Sequence, residues 1–350
     1  MKVLSRALLL FLLVGSLAMT LRSGLRIAEN PTLSPVIDRS FTEIQALTDR
    51  MMAREATPER LSDLINARLE EDPRNWVALQ ALAEVAAEQG HPLPAAYEQA
   101  WGEDSGVMAL SGDCLACIWD ISTCSLSTAL ICKAPILLTP VEDLRGVVQA
   151  GADYSMGRPV DQLDLGLSVV GLGATAALMA TGGTSATVKA GTATIRLARG
   201  MGRLSPALTT RMTGAVTDGI RWADLPKARS PQDVTALLRT DALLPLAETV
   251  TDLGRVADAT GPVQALHLLP LVDDAVDARR LARASEALGT RTVSRAEVLG
   301  KSRVLRATVR ISDTAIGLMT GLIGALVSLA MMVAGAVQTM VLRALRRSVT

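Results

Sequence analysis

The longest unbroken apolar pattern runs from Thr314 to Leu342, 29 residues without a charge between Asp313 and Arg343. At a rise of about 1.5 Å per residue, such a helix exceeds a hydrocarbon core of about 30 Å, so a transmembrane helix is predicted over 314–342. A second apolar run, Ala7–Leu21, covers 15 residues; Lys2 and Arg6 precede it and Arg22 closes it. These are the charged and apolar regions of a secretory signal, and Ser16-Leu17-Ala18 offers a small-x-small cleavage option. Residues 1–22 read either as a cleaved signal peptide or as an uncleaved signal anchor, and both send the following chain across a membrane.

Arg343, Arg346 and Arg347 follow the last apolar run at once. Cytoplasmic flanks of membrane helices carry the excess of Lys and Arg, so residues 343–350 are expected to form a basic cytoplasmic tail. Lys2 and Arg6 place the N-terminus on the same side. The body, residues 23–313, is then expected on the periplasmic face of a bacterial inner membrane. Gly317, Gly321 and Ala325 lie four apart, a spacing that lets helix backbones approach closely in lipid and suggests a homodimer seam.

Between the two ends the apolar positions recur at helical spacing. Pro31–Asp38 reads as a linker. Ser40-Phe41-Thr42-Glu43 is a capping box opening a helix with Phe41, Ile44, Leu47 and Met51 on one face. Thr57-Pro58 starts the next, with the stripe Leu61, Leu64, Ile65 and Leu69, and Asp72-Pro73 closes it. A third helix is expected from about Asn75 to Gln89, stopping at Gly90. Later starts fall at Thr139-Pro140-Val141-Glu142, whose helix should end by Gly151, and at Ser205-Pro206, Ser230-Pro231 and the box Ser294-Arg295-Ala296-Glu297. Asp273–Leu288 is amphipathic, with Asp273 as its N-cap and Gly289 as its stop. No convincing strand alternation appears, and the expected class is all-α.

The stretch Leu165–Val188 has 24 uncharged residues but is rich in Gly, Ala and Thr, whereas membrane insertion favours Leu, Ile, Phe and Val. Gly182-Gly183 divides it into a helical hairpin over 165–199 with Lys189, Arg196 and Arg199 on the second arm. A crossing there would force the arginine-rich C-terminus outside, so a buried soluble hairpin is expected. The alternative is a segment that inserts into the bilayer; its texture is loosely similar to helical pore-forming segments.

Asp72-Pro73-Arg74-Asn75, followed by Leu79, Leu82 and Ala83 and then Gly90 and Ala95, resembles the boundary and first helix of a tetratricopeptide repeat. The resemblance covers Thr57–Trp101 within a helical region 23–110, and it implies a helix hairpin of a kind that stacks to bind peptides in a groove. Pro92 and Pro94 depart from the pattern where the second helix should begin, and no second repeat follows, although a free-standing solenoid needs about three.

Composition supports the helical reading: only two Phe, two Tyr and four Trp occur, and the apolar content is mainly Ala, Leu, Val and Met. Basic and acidic residues balance at 35 each, which removes a global case for nucleic-acid binding. The balance is uneven along the chain. Residues 22–164 hold 11 basic and 22 acidic side chains, and 189–310 hold 19 basic and 12 acidic. The two halves are expected either to dock on each other, with a boundary near Leu165–Val188, or to rest the basic half on anionic lipid.

Cys114, Cys117, Cys124 and Cys132 crowd into the segment 111–135. An even count in so short an exported span suggests two disulfides, of unassigned connectivity. A zinc site would show two CxxC knuckles, and a thioredoxin-like pair would need a strand before its CxxC helix. His91 sits in a Gly-His-Pro turn and His267 in an apolar helix, neither with a partner of catalytic spacing. Gly166-x4-Gly171-x-Gly173 lacks the Lys-Ser/Thr of a phosphate loop. No cofactor, metal or catalytic set is assigned. The leading expectation is a non-enzymatic envelope scaffold, with membrane lipid and an envelope protein as partners. The alternatives are a membrane-active helical protein and a thiol oxidoreductase using Cys114 and Cys117.

Overall fold

The computed structural model describes residues 10–22, 36–106, 115, 117, 124–126, 140–181, 186–227, 238–311 and 313–348. The chain is mostly helical and divides into two compact units, one made of its two ends (1–39 with 309–350) and one of residues 40–308. The boundary expected near Leu165–Val188 is not found; that segment lies inside the second unit.

In the first unit, helix α1 (Leu10–Arg22) and the last helix α15 (Asp313–Ser348) are accompanied by two short strands, β1 (Val36–Asp38) and β2 (Val309–Ile311). The strands pair antiparallel, Val36 with Ile311 and Asp38 with Val309, and the Arg39 guanidinium donates to the Val309 carbonyl at 3.1 Å. The expected linker Pro31–Asp38 therefore ends in a strand. Three residues are too few to display a two-residue alternation, which is why the pattern hid it.

Within α15, Met319–Gln338 covers 20 residues at a mean hydropathy of 2.0, long and apolar enough to cross a membrane. Its large side chains, among them Leu322, Ile323, Leu326 and Val327, are exposed, as are Phe11, Val14 and Leu21 of α1. Small residues line the seam between the two helices. A Cβ added at Gly321 would lie 2.5 Å from Thr20 Oγ1, and one at Gly324 would lie 2.5 Å from Ser16 Oγ. Position rises on α1 as it falls on α15, so the helices run antiparallel. Thr20 turns its hydroxyl onto the Ser16 carbonyl at 2.9 Å, so that this donor is satisfied within its own helix.

The body begins with the Ser40 capping box: Ser40 Oγ accepts from the Glu43 amide, and Glu43 accepts in return, opening α2 (Phe41–Glu55). Thr57 caps α3 (Pro58–Leu69), and Asn75 caps α4 (Trp76–Gln89), which stops where Gly90 adopts the left-handed φ of 71°. After the two prolines, α5 (Ala95–Asp104) folds back on α4. Tyr97 and Trp101 meet the Trp76 ring edge-on at 5.6 and 4.8 Å. Trp76 Nε1 donates to Asp104 at 2.7 Å, and Arg74 clamps the same carboxylate.

α6 (Pro140–Ser155) runs one turn beyond the expected stop at Gly151 and leads to α7 (Gln162–Thr181) and α8 (Ala186–Gly200). The start of α7 is enclosed: Leu163, Leu165 and Leu167 are buried, and Gly166 lies against Val216. Arg196 donates to Asp164 at 3.2 Å, and Arg199 makes a two-pronged pair with Asp161 at 2.6 and 2.9 Å, so two ion pairs zip α8 to the root of α7.

α9 (Pro206–Gly219), capped by Ser205, is followed by α10 (Thr240–Thr260), α11 (Pro262–Leu268), α12 (Ala275–Leu288), α13 (Thr292–Leu299) and α14 (Lys301–Ala307). Ser230-Pro231 lies outside the described residues. Two caps differ from expectation. Asp274, not Asp273, caps α12 by accepting from the Asp277 amide, while Asp273 binds Lys301. Helix α13 already starts at Thr292, so Ser294 is inside it and Glu297 has another task.

The acidic first half does meet the basic second half. Asp49 and Glu88 pair with Arg295, Glu55 with Arg303, and Asp161 and Asp164 with Arg199 and Arg196.

Candidate ligand-binding cleft

Four separated stretches of the body meet around an open cleft of about 460 Å³. The end of α3 and the turn after it bring Arg68, Glu71, Asp72 and Asn75. The loop between α8 and α9 brings Arg203. Helix α11 and the turn after it bring His267, Pro270 and Leu271, and α13 brings Ala296 and Glu297.

One wall is a closed chain of polar contacts. Asn75 Oδ1 accepts from the Ala78 amide at 3.3 Å as the cap of α4, which leaves Asn75 Nδ2 to face His267 Nδ1 at 3.0 Å. The amide group donates there, so Nδ1 is the bare nitrogen and Nε2 carries the proton that it gives to Glu297 Oε1 at 2.8 Å. Glu297 in turn holds Arg68 in a fork, with contacts of 2.9 to 3.1 Å, and Arg68 also binds Glu71. Burial opposes ionisation of Glu297, but the His267 hydrogen bond and the Arg68 guanidinium outweigh it and hold its carboxyl below the ordinary range. Both ring nitrogens of His267 are engaged, so its ring positions Glu297 and leaves no nitrogen over for a substrate.

Two charged groups of the cleft stand outside this chain. The half-buried Arg203 side chain has no hydrogen-bond or ion-pair partner among the described residues. Desolvation pushes its guanidinium below the usual arginine range, with nearby Glu71 opposing and Arg68 adding to the effect. Asp72 is exposed at the cleft and likewise has no side-chain partner among the described residues.

Of the residues singled out by sequence, Cys117 and Cys124 form a disulfide in the buried core, with Cα atoms 4.5 Å apart. Cys114 and Cys132, like Lys2 and Arg6, fall outside the described residues. Gly317, Gly321 and Ala325 lie in α15, as do Arg343, Arg346 and Arg347 in its last turns. His91 follows the Gly90 cap, away from His267. Among the described residues no cluster of three or more His, Cys, Asp or Glu has the arrangement of a metal site. The cleft was not legible beforehand, because Arg68, His267 and Glu297 come from three helices; the one local hint was the buried position of a histidine in an apolar stripe. Compared with protein-family models, with curated proteins and with solved structures, the chain matches none.

Proposed function

We propose that the protein is a membrane-tethered scaffold or interaction protein, held by both ends in a bacterial-type inner membrane with its helical body on the outer side. The observation that carries this reading is the antiparallel contact of Ser16 and Thr20 with Gly324 and Gly321. Two apolar helices packed in this sense return the chain to the side from which it left. Their exposed Leu, Ile, Val and Met side chains have a natural solvent in lipid. The flanking charges Arg343, Arg346 and Arg347 give the direction, and the Cys117–Cys124 bridge fits an oxidising compartment. The ion pairs and buried leucines at the root of the 165–199 hairpin favour a body that keeps this segment folded over one that releases it into a bilayer.

The test is a pair of alkaline phosphatase fusions, after Ala150 and after Gly300, expressed in a Gram-negative host. Both should be active. Silence at both would reverse the orientation, and activity at the first alone would show that the hairpin crosses.

A further inference from the structure

We propose that the cleft between α3, α11 and α13 is a binding site for a small aliphatic α-amino acid, with Arg203 taking its carboxylate and Asp72 its ammonium group. Most of the charge in the cleft is internally cancelled: Glu297 is shared by Arg68 and His267, and Glu71 is bound to Arg68. Arg203 and Asp72 remain, one cation and one anion whose side chains have no hydrogen-bond or ion-pair partner among the described residues. A half-buried guanidinium in this position is deprived of water and only partly compensated by nearby Glu71, which favours an anionic group from outside. A planar carboxylate matches its fork of donors. A purely anionic ligand would meet Asp72 and Glu71 as like charges, and a purely cationic one would meet Arg203; a ligand with one charge of each sign meets both demands. Pro270, Leu271 and Ala296 supply an apolar wall for an aliphatic side chain. The cleft is at the lower end of ordinary small-molecule pockets, a size suited to such a ligand.

This site is independent of the orientation in the membrane, so its test and that of the anchoring fail separately. Full-length protein in detergent micelles is titrated calorimetrically with L-leucine and with two analogues, 4-methylpentanoate lacking the ammonium and isoamylamine lacking the carboxylate. Leucine should bind saturably, and each analogue should bind about tenfold or more weakly by comparison, since a charged hydrogen bond is lost. Arg203→Gln and Asp72→Asn should each weaken leucine by a similar factor with unchanged thermal melting, because neither side chain supports the fold, and Arg203→Lys should retain more affinity than Arg203→Gln. Absence of saturable leucine binding up to about 10 mM would overturn the proposal. So would undiminished binding in Arg203→Gln, and equal binding of 4-methylpentanoate would remove the role of Asp72.

Discussion

A Cβ placed on Gly254 of α10 would stand 1.9 Å from the carbonyl oxygen of Thr187 in α8. The reciprocal position, Gly191 of α8, meets the Val250 carbonyl at 2.0 Å, so the two helices cross in backbone contact. No rotamer change can relieve a clash with backbone. Gly254→Ala is therefore expected to destabilise the body by about 2–3 kcal/mol or more. Gly102→Ala in α5, where nothing lies within 4 Å of the added Cβ, should be neutral or stabilising by about 0.5–1 kcal/mol. Thermal melts of the two variants side by side check the claim, and equal melting temperatures would refute it.

Glu297 supports both Arg68 and His267. Replacing it by Gln keeps the shape but removes the charge, leaving a partly buried guanidinium under-compensated, at a cost of about 2–4 kcal/mol. The folded-state carboxyl is depressed, so its contribution is complete above the unfolded value of about 4.3 and is lost as pH falls through the folded value. Unfolding midpoints measured from pH 7 down to acid should therefore fall less steeply in Glu297→Gln than in the parent. A parallel pair of curves would count against the fork as a source of stability.

Cys117 and Cys124 close a short loop of sequence separation 7. Replacing both with Ser should lower stability by about 2–3 kcal/mol on the chain-entropy estimate. Alkylation of freshly isolated protein should find these two thiols blocked until reductant is added. Ready alkylation of both without reductant would contradict the bridge and weaken the case for an exported body.

Arg343, Arg346 and Arg347 should fix the direction of α15, because its apolar span has no charge of its own. Changing all three to Glu should give mixed or lost insertion, scored by protease access to a C-terminal tag in intact spheroplasts, since Arg306 and Arg310 on the other flank then compete to stay inside. Full protection of the tag would show that folding of the body or a partner, not charge, holds the helix.

Elements governed by neighbours in sequence were readable in advance. Ser40 with Glu43, Thr57 with Pro58, Asn75, Gly90, Ser205 and Gly289 all mark helix ends, because a cap is chemistry among three or four consecutive residues. Ser294 and Glu297 carried the same signature and misled. Glu297 is recruited by Arg68, 229 positions away, and by His267, 30 positions away, and no local pattern registers such partners. Asp273 and Asp274 are equivalent as local cap candidates, and Lys301 decides between them by binding the first. The contact of Gly321 and Gly324 with Thr20 and Ser16 joins opposite ends of the sequence, and no local spacing specifies such partners.

The strand pair bears on the order in which the protein is made. Arg39 and Val309, in contact beside it, are 270 positions apart, so β1 leaves the ribosome long before its partner exists. During that interval its edge is open to other chains. Its brevity and the charges of Asp38 and Arg39 are features that discourage such pairing. The N-terminal strand thus waits through synthesis of the whole helical body, and its pairing cannot form until Val309–Ile311 has been translated.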